Sequence, residues 1–165
     1  MPSPERATLD FTTNSVTHTE RLGTFLGQSL TGGEVVCLSG DLGAGKTALT
    51  RGIAAGWGAL EAVTSPTFTV VHEHRRTQDS FVLYHVDCYR LSGPADAWGV
   101  GLDDMLYNDG VVVIEWPENV SAVLPADRLW IAFFLLDENR RQLTMSASGN
   151  RSQTLLETLR GNWME

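Results

Sequence analysis

Residues 40–47 read Gly-Asp-Leu-Gly-Ala-Gly-Lys-Thr and fit the phosphate-binding loop G-x-x-x-x-G-K-[ST]. No other segment constrains the fold as tightly, because such a loop must leave a buried strand and open a helix. The flanks agree. Val35-Val36-Cys37-Leu38 is a short apolar run of the buried-strand type. Downstream, Ala48, Leu49, Ile53 and Trp57 recur at helical spacing, and Gly56 and Gly58 end the pattern. Lys46 is the only lysine in the chain, beside 11 arginines. It stands where a compact ammonium can lie between loop backbone and β/γ-phosphates, a place that a wide planar guanidinium cannot fill.

The expected chemistry follows from the residue types. Gly43 and Gly45 let the backbone curl without Cβ clashes. The N–H groups of Gly43, Ala44, Gly45, Lys46, Thr47 and Ala48 then form a nest for phosphate oxygens at the positive end of a helix. Thr47 is the expected hydroxyl ligand of Mg²⁺. The loop thus predicts a nucleoside triphosphate bound with Mg²⁺.

At 165 residues, 42% hydrophobic and 19% charged, the chain is expected to form a single domain with one core. Residues 1–7 are expected to be a disordered lead-in. They carry no signal-peptide pattern, and no apolar run reaches membrane-span length, so no membrane association is expected. Cys37 and Cys88 form no close-spaced motif and fit a cytoplasmic location. A net charge of −8 argues against the chain gripping nucleic acid unaided. If RNA matters to the function, a partner holds it.

Along the chain, Leu9–Thr13 predicts a first strand, and Thr17-His18-Thr19-Glu20 a capping box before a helix with Leu22, Phe25, Leu26 and Leu30 on its apolar face. Strand patterns recur at 63–71, 81–86 and 111–114, with a short helix at 102–107. Residues 129–136 and 142–147 read as a late hairpin, followed by a closing helix through Leu155, Leu156 and Leu159. The fold class is α/β and P-loop NTPase-like, a mainly parallel sheet flanked by helices with antiparallel strands added late.

A phosphate loop needs a carboxylate near its metal. Asp87 and Glu115 each close an apolar strand, at the C-terminal end where α/β ligands bind. Spacing alone leaves open which is closer to the metal. Ser65, Thr67 and Thr69 lie where a mobile switch often sits, although a Pro-interrupted edge strand explains Ser65-Pro66 equally well. His72-x-His74 lacks a partner pair at zinc spacing and reads as a solvated strand end. His85 shares a strand face with Asp87 and could support it. Trp57, Trp98 and Trp130 read as packing residues. Trp116, directly after Glu115, is either a core residue or one facing nucleotide or partner.

Four segments stand in order: GDLGAGKT (40–47), SPTFTVV (65–71), HVDCYRL (85–91) and VIEWPE (113–118). Together they resemble the bacterial TsaE family, small ATPases needed to make threonylcarbamoyladenosine (t6A) on tRNA. The resemblance spans roughly residues 15 to 145, with Leu124-Pro125 and Arg128-Leu129 also matching. It implies an ATP-hydrolysing, Mg²⁺-dependent P-loop protein without a kinase lid, slow without partners. Lys46 and the loop backbone would hold phosphates. Thr47 and Glu115 would bind Mg²⁺, and Asp87 would join the same network and be needed for hydrolysis. Residues 65–69 resemble the family's switch. Val16 and Asn139 match positions beside the base. The implied partners are the carbamoyl-transfer subunit TsaD and its relative TsaB, reset by ATP hydrolysis between turnovers, with tRNA met only through them. The Gly-rich stretch 97–101 departs from the pattern and puts the local helix in question.

Two other functions fit the loop: a small-molecule kinase and a non-hydrolysing module gated by ATP. A kinase would carry an Arg-rich helical lid, for which the C-terminal third has no pattern. Asp87 and Glu115 weigh against a purely binding role. A guanine-reading N-K-x-D motif needs a second lysine, which the chain lacks.

Overall fold

Residues 7–63 and 70–163 are described by the computed structural model. Along the chain stand β1 (Ala7–Thr13), α1 (Val16–Gln28), β2 (Val35–Ser39), α2 (Lys46–Trp57), β3 (Val71–Arg75), β4 (Val82–Asp87), α3 (Gly93–Gly99) and α4 (Leu102–Leu106). After them come β5 (Val111–Glu115), a 3₁₀ segment (Pro117–Val123), β6 (Leu129–Leu135), β7 (Arg141–Ala147) and α5 (Asn150–Asn162). The seven strands form one sheet in the order β1-β7-β6-β2-β5-β4-β3.

The parallel centre follows from composition. β2 and β5 are almost continuous runs of Val, Ile, Leu and Cys, buried on both faces, as strands covered by helices on either side must be. β2 pairs in parallel with β5 and β6, and β5 with β4. The wings are antiparallel: β6–β7–β1 on one side and β4–β3 on the other. The α/β class and the late hairpin are as the sequence predicts. The early strands β1 and β3 are antiparallel as well: β3 pairs with β4, and β1 closes on β7 across the whole chain, from Ala7 opposite Ala147 to Thr13 opposite Arg141. Ala7 therefore belongs to β1 and not to a lead-in; residues 1–6 lie outside the described residues.

Each sheet face is sealed by its own apolar layer. One joins Leu38, Val113, Ile131 and Leu143 to the inner sides of α1, α2 and α5; the other joins Cys37, Val86 and Ile114 to α3, α4 and the 3₁₀ segment. α1 begins earlier than the Thr17 capping box predicts. Ser15 caps it, its Oγ accepting from His18 N at 3.0 Å, while Thr19 is buried with its hydroxyl 2.7 Å from that of Thr13. Gly101, at φ 80°, separates the short helices α3 and α4, which is what the Gly-rich stretch does here.

α1 and α2 pack unusually closely through glycines. Gly23 and Gly27 of α1 face Gly52 and Gly56 of α2, and a Cβ on any of the four would fall under 3.0 Å from backbone of the other helix. The four-residue spacing places each pair on one helix face. This contact fixes α2, the helix whose first turn carries Lys46 and Thr47.

Candidate nucleotide site

The loop between β2 and α2 has the curl that its glycines permit. Gly43 and Gly45 lie at φ 80° and 109°, both left-handed, and Gly45 is the residue capping α2. Space opens around Gly43, where an added Cβ would meet nothing within 4 Å. Ala44 N donates to Asp41 O at 3.1 Å, closing the turn, and Leu49 N to Gly45 O starts the helix ladder. Ala44 and Ala48 are buried and anchor the loop's apolar side; Thr47 is half-buried at the first turn.

Lys46 folds back over this loop. Its Nζ donates to Gly40 O at 2.7 Å and sits 3.9 Å from the centre of the Trp116 ring. Burial pushes its pKa down, opposed by the charges of Glu115, Glu118, Asp87 and Asp41. The chain's only lysine is thus held between the Gly40 carbonyl and an aromatic face.

The two strand-end acids are neighbours. Asp87 of β4 is paired in register with Glu115 of β5, so their side chains leave the same sheet face at the ends of adjacent strands. Glu115 is 8% exposed, and its Oε2 lies 2.7 Å from His85 Nε2. His85 therefore supports Glu115, not Asp87 as the shared strand face suggests. The reason is geometric: along β4 the two side chains are stacked a full repeat apart, whereas Glu115 reaches back across the strand gap. Asp87 is half-buried, and its Oδ1 accepts from Tyr89 N at 2.9 Å. Asn119 ties the next turn down, donating from Nδ2 to Cys88 O at 3.0 Å.

Trp116 adopts φ 57°, ψ 49°, the one left-handed non-glycine among the described residues. That turn swings its ring off the end of β5 and over Lys46, where Tyr89 packs beside it at 5.1 Å. The backbone strain is spent on setting an aromatic face at the mouth of the loop.

The sequence matches the family model described as "Threonylcarbamoyl adenosine biosynthesis protein TsaE" over residues 13–143. The chain belongs to the TsaE family. It is 41% identical over 134 residues to the TsaE of Treponema pallidum, covering 80% of this chain and 96% of that one. The Bacillus subtilis TsaE is 39% identical over 127 residues, 77% of this chain and 78% of its relative. Among solved structures, that of Bacillus subtilis YdiB superposes with a TM-score of 0.79 at 32% identity, covering 96% of this chain and 98% of the other.

Against the TsaE motifs, the structure brings together Gly43–Ala48, Asp87, Glu115 and Trp116 at the C-terminal ends of β2, β4 and β5. Ser65, Thr67 and Thr69 lie outside the described residues. Val16 opens α1 and is 60% exposed; Asn139 lies in the β6–β7 turn, its N–H donating to Asp137 Oδ1. Both stand on the β1–β7–β6 side, away from the acids. Trp57 is a core residue, but Trp98 is 59% exposed on α3 and does not pack, because α3 buries only Ala97. Trp130 is half-buried with Arg128 above it, 5.6 Å from its ring centre. His72 and His74 are not a solvated strand end: His74 is 7% exposed, and its pKa is held down by burial and by the neighbouring His85 and His72. No group of three or more His, Cys, Asp or Glu among the described residues has metal-binding geometry. No described helix is long and apolar enough to cross a membrane.

Sequence reasoning missed the His85–Glu115 contact and the glycine seam. The first had no signal, since strand neighbours are invisible before topology is known. The second did: Gly23/Gly27 and Gly52/Gly56 share a four-residue spacing on two helices.

Proposed function

We propose that this protein is a Mg²⁺-dependent ATPase serving t6A biosynthesis, and that its hydrolysis of ATP resets a TsaB–TsaD carbamoyl-transfer complex between turnovers. The observation carrying this reading is the convergence of the chain's only lysine, a left-handed glycine loop and two register-paired acids on one rim of the sheet. A binding scaffold alone has no need for the second acid.

The residues suit both groups. The loop N–H groups, open at Gly43, can cradle phosphates, and Lys46 can turn from Gly40 O to them. The Thr47 hydroxyl with the Asp87 and Glu115 carboxylates makes an all-oxygen donor set. That suits Mg²⁺, which takes one or two carboxylates and completes its shell with phosphate oxygens and water, not an all-protein cage. When bound, the ion would offset charge on the β/γ-phosphates. His85 holds the Glu115 carboxylate in place. Asp87, half-open to solvent, would orient a water. Trp116, lying over Lys46, would limit water there.

The kinase reading gains no support, since β6, β7 and α5 occupy the C-terminal third and α5 packs into the core. TsaB and TsaD as partners, and tRNA met through them, rest on the family membership together with the acidic charge of −8. The test is t6A formation on tRNA in a reconstituted system with TsaB, TsaD and their carbamoyl donor. With this protein and ATP, product should accumulate beyond one equivalent per complex. With Asp87→Ala in its place, formation should stop near the first turnover. Continued turnover with the variant would dismiss resetting by hydrolysis.

A further inference from the structure

We infer that His72 and His74 are positioning residues for ATP hydrolysis, holding His85 through one buried water so that its other ring nitrogen serves Glu115. The inference rests on the function proposed above and concerns two residues that lie between its sequence motifs. All four side chains leave the sheet on one face. His85 stands opposite His72 across the β3–β4 pair, His74 follows two residues along β3, and the β4–β5 register puts Glu115 on the same side.

The cluster is buried and incompletely bonded. His74 is 7% and His85 2% exposed, and the ring centres of His72 and His85 lie 6.2 Å apart. Each of the three rings has an enclosed nitrogen without a hydrogen-bond partner among the described residues: Nε2 of His72, Nε2 of His74 and Nδ1 of His85. Such atoms are uncommon in folded proteins. Trp163 Nε1 is the only other side-chain atom of this kind among the described residues, so they concentrate here.

One shared partner accounts for all three. Burial, then the neighbouring His85 and His72, push the His74 pKa down against a weaker pull from Glu61, so added positive charge is disfavoured in the cluster. The same residues lack metal-binding geometry. A neutral molecule that both donates and accepts is left, and a buried water typically makes about three hydrogen bonds to polar groups of this sort.

The consequence falls on Glu115. As a carboxylate it accepts, so His85 donates to it from Nε2 across 2.7 Å. Which imidazole nitrogen carries the proton is set by the bond that the other makes. A water donating to Nδ1 keeps the proton on Nε2. With the proton on Nδ1 instead, Nε2 and Glu115 Oε2 would meet lone pair to lone pair, and the carboxylate would turn away. His72 and His74 orient the water, one accepting its second hydrogen and the other donating to its oxygen.

The test reads the His85 tautomer by long-range ¹H–¹⁵N correlation of the imidazole rings at neutral pH in nucleotide-free wild type, His72→Phe, His74→Phe and His72→Gln. Melting points, ATP affinity and ATP turnover with TsaB and TsaD are measured alongside. Wild-type His85 should be protonated at Nε2 alone. Each Phe variant keeps a ring but no nitrogen; it should show mixed His85 tautomers and a kcat lowered about tenfold, with ATP affinity near wild type. His72→Gln restores a side-chain N–H and should recover part of kcat. A wild-type His85 protonated at Nδ1, alone or together with Nε2, would overturn the inference even if every variant failed to fold. Wild type that does not hydrolyse ATP would remove the function proposed above. Wild type that does, with the His85 tautomer unmoved in both Phe variants, would overturn this inference alone, and any loss of kcat beside lowered melting points would then mark the two histidines as packing residues.

Discussion

Replacing Gly52 by alanine sets two effects against each other. In a helix interior alanine is favoured over glycine by about 1 kcal/mol. The new methyl, however, would enter the α1–α2 seam well under 3.0 Å from the Glu20 carbonyl oxygen and 2.8 Å from Thr24 N. Those are backbone atoms of a neighbouring helix and cannot rotate aside, so the helices must separate. Separation loosens Leu22, Leu26, Leu49 and Ile53, all fully buried along the seam. Overpacking of this kind costs about 1–3 kcal/mol, and more when backbone must move. A net loss of about 2 kcal/mol is expected, lowering Tm by about 4–8 °C in a domain of this size. Gly161→Ala is the control: it lies in α5 with nothing within 4 Å of the added Cβ and should change Tm little or raise it slightly. Thermal unfolding followed by circular dichroism reads both. Gly52→Ala should also weaken nucleotide binding, because α2 carries Lys46 and Thr47. A Gly52→Ala protein that melts at or above the wild-type temperature would refute the close-packed seam.

Lys46→Ala should abolish ATP binding, and Lys46→Arg should bind at least tenfold more weakly than wild type, since a guanidinium fits neither the loop nor the gap between Gly40 O and the Trp116 ring; near-normal affinity of the Arg variant would refute the argument from the lone lysine. A protein keeping Trp116 as its sole tryptophan, the other four changed to Phe, should change its emission when ATP and Mg²⁺ are added, because nucleotide draws Lys46 from the ring; an unchanged signal in a variant that binds would make Trp116 a fixed wall. Burial pushes the thiols of Cys37 and Cys88 up to about 12. Unfolded thiols ionise near pH ~8.5, so between these values the unfolded chain sheds protons that the folded one keeps, and stability falls as pH rises. At pH 9 a thiol reagent should therefore label neither cysteine in the native protein and both in denaturant; rapid native labelling would contradict their burial.

The loop, its strand and its helix were legible because they are local: an apolar run, glycines and a 3.6-residue period lie within residues 35–57. Both acids were legible for the same reason, each ending its own apolar run. Pairings between distant segments were not. That Asp87 stands beside Glu115, that His85 serves Glu115, and that β1 closes on β7 depend on strand order, which no period encodes. α1 starts two residues before the Thr17-x-x-Glu20 pattern because Ser15 takes the cap, its Oγ accepting from His18 N. Trp98 shows the limit of composition: a large aromatic reads as a packing residue, yet α3 presents only Ala97 inward.

The central claim is that Mg²⁺-dependent ATP hydrolysis occurs at the rim formed by Lys46, Thr47, Asp87 and Glu115. The most direct measurement is steady-state ATP turnover, with Mg²⁺ and with chelator, for wild type and Glu115→Gln, alone and with TsaB and TsaD. Gln keeps the size of the side chain and a contact to His85 but removes the charge. Wild type should turn over ATP only with Mg²⁺ and faster with the pair, while Glu115→Gln stays folded, still binds ATP and loses most turnover. Wild-type turnover in the variant, or turnover indifferent to Mg²⁺, would contradict the account.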